Sequence, residues 1–285
     1  YPLLRKERYD IVHYNELCFG SALFHLRRLF GGSYKLLYCN GAPSPPIHYH
    51  HRCDFVQLLT GPMREEAVSF GIAGKRIFFT PYGVDARQFS PEVRSFRTEI
   101  RSRLGIPEDA AVVLTVAALA RKHKRIDYVL RELSGMPANT WLVAAGHRTD
   151  ETESLERQAE RLLPSRWRFL SWPHEKINRL YGASDVFVLA SLAEGLPIAS
   201  IEAMMSGLPL VLHDAPLFKW AAAGALVRHV NMASPGELRL AVEEALRNGA
   251  GSTAEEPMKR FSWDSLIPDY IRMYERVFHE NSLIE

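Results

Sequence analysis

Two glutamates, Glu194 and Glu202, stand eight positions apart, in Glu194-Gly195-Leu196-Pro197 and Glu202-Ala203-Met204-Met205-Ser206-Gly207. Glu202 follows Ile198 by four residues and precedes Met205 by three, so on a helix its carboxylate falls on or beside the apolar stripe. A carboxylate taken out of water must be hydrogen-bonded, and the hydroxyls of a bound ligand would meet that need without a metal. A basic run, Arg121-Lys122-His123-Lys124-Arg125, follows the strand expected at 112–117. It is either a solvated turn or a set of cations facing an anionic ligand.

The elements that must position these residues follow from the run 184–209, which reads strand, polar turn, helix, strand. Pro197 suits the first helical position, where its missing N–H leaves nothing unpaired, and Gly207 suits a left-handed C-terminal cap. In an open parallel sheet, a loop leaving the C-terminal end of a strand faces the ligand crevice. The next helix points its unpaired N–H groups there.

Short apolar runs alternate with amphipathic stretches along most of the chain, which predicts an α/β protein with parallel strands and crossover helices. In the first 82 residues strands are expected at 10–14, 35–39, 54–59 and 76–81 and helices at 21–30 and 62–70, about half of a doubly wound domain. A Pro-containing stretch to Pro107 reads as irregular and carries the lobe boundary. Beyond it strands are expected at 112–117, 141–145, 168–171, 185–189 and 209–213, with helices at 126–133, 151–163, 176–181 and from Pro197. The rest reads as helical, with a loop at 249–256 before a last helix at 263–279. The domains expected are 1–82, a partial acceptor-side Rossmann-like lobe; 83–262, a nucleotide-sugar lobe; and 263–285, a helix crossing back to the first.

The 285 residues suit two lobes rather than one core, and 35 basic against 33 acidic side chains leave a net +2 that predicts no nucleic-acid partner. Three cysteines, all within the first fifth of the chain, predict no disulfide framework and fit a reducing cytoplasm. No apolar run reaches the roughly 18 to 20 residues of a spanning helix. The opening Tyr1-Pro2-Leu3-Leu4-Arg5-Lys6 does not read as a signal peptide and suggests a chain beginning mid-protein. The first 82 residues carry ten basic and six acidic groups, which points to an anionic acceptor or to peripheral contact with the inner face of a membrane.

The paired glutamates in Glu-Gly-Leu-Pro and Glu-Ala-Met-Met-Ser-Gly-Leu-Pro resemble the signature of the retaining GT-B glycosyltransferases of family 4, the glycosyl transferases group 1. Thr80-Pro81-Tyr82-Gly83-Val84-Asp85 with Phe89, and Phe261-Ser262-Trp263 before the last helix, extend the likeness. It is close over residues 75–280 and looser over 9–75. It implies two Rossmann-like lobes, the first truncated, because the family's glycine-rich first turn and early βα units have no counterpart ahead of residue 9.

The resemblance implies a metal-independent hexosyltransferase that retains configuration, with a UDP- or GDP-linked sugar as substrate and no cofactor. Glu194 would hold the transferred sugar and Lys124 would neutralise the diphosphate. Glu202 would hold the ribose, the amides of Gly195, Leu196 and Pro197 the sugar or phosphates, and Trp172 would border the base. The family's arginine six residues before that lysine is Ala118 here, so Arg121, Lys122 or Arg125 would supply the second cation. His13, Glu16 and Asn40 would face a carbohydrate, lipid or small-molecule acceptor, Asn40 standing where many relatives carry histidine. A second chain could complete the first lobe. The alternative is a noncatalytic nucleotide-sugar-binding subunit that needs a partner chain.

Other readings are weaker. His48, His50, His51 and Cys53 are zinc-ligand types, but adjacent histidines point apart and no second cluster exists. Gly71-Ile72-Ala73-Gly74-Lys75-Arg76 lacks both the first glycine and the Ser or Thr of a phosphate loop.

Overall fold

The computed structural model describes residues 4, 7, 9–42, 44–222, 226–249 and 254–280. The predicted loop at 249–256 falls in part, and the basic residues Arg5, Lys6 and Arg8 fall wholly, outside them.

The chain divides into two compact units. Unit 1 comprises Tyr1–Gly83, Glu194–Leu196 and Trp263–Glu285, and unit 2 comprises Val84–Ala193 and Pro197–Ser262.

Unit 1 holds a four-stranded parallel sheet in the order β1-β2-β3-β4: β1 (Ile11–Tyr14), β2 (Lys35–Asn40), β3 (Phe55–Leu58) and β4 (Ile77–Phe79). The connections carry α1 (Leu17–Phe30) and α2 (Gly61–Ser69). The strands wind in one direction only, so this sheet has no reversal point. The terminal helix α11 (Trp263–His279) closes one face, with Met273 and Val277 packed on Leu37, Phe55 and Phe78. Helix α1 begins four residues earlier than the sequence suggests. Gly20 reads as a breaker, but it lies inside the helix because the Tyr14 ring occupies the space a side chain would need: a Cβ there would sit 1.9 Å from a ring carbon.

Unit 2 holds a six-stranded parallel sheet in the order β10-β9-β8-β5-β6-β7. Its strands are β5 (Ala111–Val116), β6 (Thr140–Ala145), β7 (Trp167–Leu170), β8 (Val186–Leu189), β9 (Leu210–His213) and β10 (Val227–Val230). The helices are α3 (Arg97–Leu104), α4 (Ile126–Leu133), α5 (Thr152–Leu162), α6 (Asn178–Ala183), α7 (Ile198–Met205), α8 (Pro216–Ala221), α9 (Glu237–Asn248) and α10 (Glu255–Phe261). Both faces of the sheet are covered, which is why β5, β6, β8 and β9 read as continuous apolar runs. Ile126, Val129, Leu130 and Leu133 of α4, Leu155 of α5 and Leu238 and Val242 of α9 pack with Val113, Leu142, Val186 and Val211.

Three expectations are corrected in unit 2. Residues beyond 213 are not all helical: β10 is the sixth strand, and it escapes a hydrophobic reading because an edge strand spelled Val-Arg-His-Val is only half-buried. The stretch to Pro107 is not irregular, since it contains a 3₁₀ segment (Pro91–Phe96) and α3. Helix α3 is nearly all polar because it buries Ile100 and the guanidinium of Arg101 rather than an apolar stripe. Pro197 is the N-cap rather than the first helical residue, and its carbonyl accepts from Ser200 and Ile201 N–H at 2.9 and 3.2 Å. Gly207 takes the expected left-handed geometry, with φ 76°.

Candidate functional site

In the unit 2 sheet the chain builds outward from β5 to β6 and β7 on one side and from β8 to β9 and β10 on the other. Between β5 and β8 the strand order reverses. The loops leaving the carboxyl ends of two such strands diverge, and open α/β sheets take their ligands in the crevice that results. The two loops are residues 117–125, which lead into α4, and 190–197, which lead into α7. The first carries Arg121, Lys124 and Arg125; in the second, residues 190–193 and Pro197 belong to unit 2, whereas Glu194, Gly195 and Leu196 belong to unit 1.

The first loop is firmly tied down. The hydroxyls of Thr149 and Thr152 donate to the Leu119 carbonyl at 2.8 and 3.0 Å, and the Arg121 N–H donates to Glu151 at 2.8 Å. It then takes an unusual path: His123 (φ 69°) and Arg125 (φ 54°), on either side of Lys124, both occupy the left-handed region. Side chains other than glycine rarely adopt it, and such strain concentrates at ligand sites. The N-termini of α4 and α7 both lack a side-chain cap, and each presents the positive end of its dipole at the carboxyl end of the sheet.

Three of the loop's four cations, Arg121, Lys124 and Arg125, are not equivalent. Arg121 donates to Gln158 and Ser154 of α5 at 2.6 and 2.9 Å. Arg125 donates to the Met232 carbonyl at 2.7 Å and lies 4.4 Å from the Tyr128 ring centre. These contacts hold the loop to the protein. Lys124 is half-buried between them.

Glu202, in the second turn of α7, is 6% exposed. The Tyr181 hydroxyl from α6 donates to its Oε2 at 2.6 Å, and Tyr181 is itself fully buried against Phe89 and Phe187. Burial pushes the Glu202 carboxyl above its ordinary range, while the Tyr181 hydrogen bond and nearby His174 pull it partly back. The hydroxyls of Ser191, just past β8, and Ser200, in the first turn of α7, are buried without a partner among the described residues. Buried polar groups left without a partner call for an explanation, and a ligand with hydroxyls and phosphate oxygens supplies one.

Glu194 and Gly195 are half-buried and Leu196 and Pro197 buried. A Cβ at Gly195 would lie 2.3 Å from the Gly41 carbonyl oxygen of the same unit, so this position admits no side chain. Trp172, past β7, is half-buried, donates its indole N–H to the Lys176 carbonyl at 2.9 Å and lies beneath the Arg103 guanidinium.

The acceptor-side residues divide. Glu16 accepts from Cys18 and Phe19 N–H at 3.2 and 2.6 Å, so its carboxylate serves as the N-cap of α1. Asn40 is buried and clamps the loop after β2 through two hydrogen bonds with the Ser44 backbone. Both side chains are engaged in hydrogen bonds with nearby backbone. His13 differs: its Nδ1 pairs with the Tyr274 hydroxyl at 2.8 Å, and its Nε2 is buried without a hydrogen-bond partner among the described residues. It lines a cavity of about 430 Å³ together with Tyr14, Gln57, Tyr82, Trp263 and Tyr270. Burial lowers the His13 pKa, and Gln57 offsets part of that.

Cys53 donates its thiol to the Tyr49 carbonyl, and burial pushes it up to about 12. Among the described residues, no three His, Cys, Asp or Glu side chains are grouped to hold a metal ion. No helix among them is long and apolar enough to cross a membrane.

Sequence reasoning missed Tyr181, Ser191 and Ser200. Tyr181 is 21 positions from Glu202 on another element, and no local spacing links them. The one signal available was that a carboxylate on an apolar stripe needs a donor from the neighbouring helix.

The sheet order, the two uncapped helices and the buried glutamate define a Rossmann-like ligand site in a protein of two α/β units, the GT-B architecture. Residues 96–253 match the family model described as "Glycosyl transferases group 1". The chain belongs to that family. It is 31% identical over 163 residues to the putative glycosyltransferase EpsF of Bacillus subtilis, covering 56% of this chain and 42% of that protein. It is 22% identical over 237 residues to the alpha-galactosylglucosyldiacylglycerol synthase of Streptococcus pneumoniae, covering 80% and 62%. The chain thus spans between about two fifths and three fifths of these relatives. Among solved structures, sucrose-phosphate synthase from Thermosynechococcus elongatus superposes with a TM-score of 0.82 at 19% identity, covering 97% of this chain and 76% of that one. HepE of Anabaena in complex with UDP-glucose gives 0.76 at 18% identity, covering 96% and 80%. These structures share the fold.

Proposed function

We propose that the chain forms the donor-binding part of a retaining, metal-independent glycosyltransferase that moves a hexose from a UDP- or GDP-linked sugar to a carbohydrate, lipid or small-molecule acceptor. The observation that carries this reading is the pairing of two uncapped helix N-termini with a buried, under-partnered Glu202 at the reversal point of the unit 2 sheet. A nucleoside diphosphate matches that arrangement: ribose hydroxyls donate to Glu202 and phosphate oxygens take the helix N–H groups and Lys124.

The chemistry follows from where charge develops. As the sugar C1–O bond breaks, the sugar becomes oxocarbenium-like and negative charge collects on the departing phosphate. Lys124 and the N-terminus of α7 are fixed positive groups that stabilise it, and loss of one such contact typically raises the barrier by about 3 kcal/mol. Glu194 and the amides of Gly195 and Leu196 hold the sugar. The acceptor hydroxyl attacks C1 on the face the phosphate leaves and passes its proton to that phosphate, so configuration is retained.

HepE is a neighbour solved with UDP-glucose, which favours a UDP-linked donor. The pneumococcal relative is named for a diacylglycerol glycolipid, which favours a lipid acceptor and work at the inner face of a membrane from the cytoplasm. His13 and its cavity are the acceptor-side element of unit 1. The alternative reading is a noncatalytic nucleotide-sugar-binding subunit that needs a partner chain.

Calorimetric titration with UDP, GDP and ADP tests the donor site. One diphosphate is expected to bind and to lose roughly 10- to 100-fold in affinity in Lys124→Ala and in Glu202→Ala, the scale of a hydrogen bond to a charged group. A folded chain that binds none of the three refutes the assignment. Binding without any turnover of the matching nucleotide sugar favours the subunit.

A further inference from the structure

The Tyr181 ring is wholly buried, edge-on to Phe89 at 5.8 Å and tilted against Phe187 at 5.9 Å between ring centres. The short helix that carries it, α6, is itself locked. A Cβ at Gly182 would sit 1.9 Å from the Val93 carbonyl oxygen, so the helix backbone lies directly on the 3₁₀ segment Pro91–Phe96. Asn178 donates to the Gln88 carbonyl at 3.0 Å, and the Ser184 hydroxyl turns back to the Leu180 carbonyl at 2.7 Å. Close packing on every side leaves the phenol oxygen fixed at one point.

Two acceptors lie within its reach, the Ala199 carbonyl at 3.2 Å and Glu202 Oε2 at 2.6 Å. A phenol has one proton to give, and the shorter contact has the length of a charge-assisted bond to a carboxylate. Burial and the neighbouring carboxylate raise the Tyr181 phenol well above its ordinary range, so the hydroxyl stays a donor. For packing alone, a phenylalanine ring would fill the same space. The hydroxyl adds a tether on a side chain whose last torsion is otherwise broad. With Oε2 tied, Oε1 receives no hydrogen bond among the described residues. An ionised carboxylate only accepts, so a ligand group set against Oε1 must donate. A sugar hydroxyl does so and a deoxy carbon does not.

We propose that Tyr181 is a positioning residue: its hydroxyl holds the Glu202 carboxylate by Oε2 so that Oε1 meets the ribose diol of the bound nucleotide, and the pair makes the site select an intact ribose over a deoxygenated one. The proposal rests on the donor-site reading above and deepens it. Tyr181 acts through Glu202 and has no contact of its own with the ligand. A site built to bond a hydroxyl rejects the analogue that lacks it, because its own polar group is then left short of a partner.

Calorimetry on the whole chain with UDP and 2′,3′-dideoxy-UDP, or with the guanosine pair where GDP is the diphosphate bound, tests it. The wild type is expected to prefer the ribonucleotide by about 10- to 100-fold, the scale of a hydrogen bond to a charged group. Tyr181→Phe keeps the ring, so its affinity for the dideoxy compound should be unchanged while most of the preference disappears. The pH profile of the preference separates positioning from packing. Only the ionised carboxylate accepts from the diol, so the preference grows as pH rises through the folded value of Glu202. Tyr181 and His174 are the titratable groups that act on that carboxyl, both pulling it down against burial. His174 is common to the two proteins, so in Tyr181→Phe the growth should move to higher pH. Equal weakening of both nucleotides, with the profile where it was, makes Tyr181 a packing residue and overturns the proposal. So does a wild type that binds both compounds equally, an outcome that leaves the diphosphate site standing. Should Tyr181→Phe fail to fold, Glu202→Asp decides: its shorter arm withdraws the carboxylate from the tyrosine hydroxyl, and an undiminished preference there overturns the proposal. A folded wild type that binds no diphosphate refutes the donor site itself and this pair with it.

Discussion

The two ends of the unit 2 sheet treat buried charge in opposite ways. At the amino end Asp185, which opens β8, accepts from Arg97 and Arg101 at 2.7 Å each and from Val112 N–H at 2.8 Å. Arg101 also donates to the carbonyls of Ala183, Glu108 and Ala110, at 2.9, 2.8 and 2.8 Å. At the carboxyl end Glu202 has one hydroxyl donor, Ser191 and Ser200 have no partner among the described residues, and His123 and Arg125 hold left-handed conformations. The first arrangement is finished within the chain and the second is not. Saturated polar clusters hold a fold together, whereas polar groups left short of partners at a strand's carboxyl end await a ligand.

The largest expected effect breaks the finished end. Arg101→Met deprives Asp185 of a partner and leaves three backbone carbonyls without their donor, on a side chain with no exposure at all. Breaking a buried pair of this kind typically destabilises by about 3–5 kcal/mol. Urea unfolding should show a loss of that order. A loss below about 1 kcal/mol would mean that the cluster is ordinary surface electrostatics and that the contrast between the two ends fails.

Glu202→Gln sharpens the other side, and its effect should depend on pH. Burial raises the Glu202 carboxyl above the value of 4.5 expected in the unfolded chain, so the folded state prefers the neutral acid. The stability gained from that preference is fully present below the unfolded value and is lost as pH rises through the folded one. Glutamine keeps the shape and is neutral throughout. Unfolding free energies of the two proteins should coincide in acid and diverge toward neutral pH, with the variant ahead by about 1–3 kcal/mol, the scale of a buried polar group short of partners. A bound nucleoside diphosphate should narrow the gap, because its ribose hydroxyls donate to the ionised form. A gap that is flat across pH would show that Tyr181 alone satisfies the carboxylate.

The same contrast explains what the sequence could and could not reveal. Strands such as Thr140–Ala145 are buried on both faces and read as unbroken apolar runs, and Glu202 declared itself as a carboxylate on an apolar stripe. Helix α3 and strand β10 were invisible to that logic. One buries an arginine in place of a stripe, and the other is a half-exposed edge carrying two apolar residues. The partners of a site are harder still, because Tyr181 meets Glu202 across two elements. Function assigned to isolated side chains was least secure where a local backbone role competes. Glu16 and Asn40 both look available for chemistry in sequence, and both are bonded to amides or carbonyls within four residues.

Glu16 gives the smallest expected effect and the cleanest test of that last point. Its carboxylate sits below the usual range because the amides of Phe19 and Cys18 donate to it. The contribution is therefore present above the unfolded value of 4.5 and lost as pH falls through the folded one, the reverse of Glu202. Glu16→Ala should speed amide exchange at Cys18 and Phe19 and lower the melting temperature slightly at neutral pH, with the difference vanishing in acid. Glu16→Asp, whose shorter side chain is a favoured N-cap, should restore both. If instead Glu16→Ala leaves exchange untouched while lowering transfer to an acceptor, the carboxylate is a substrate contact. The line drawn between spent and waiting polar groups would then have to move into unit 1.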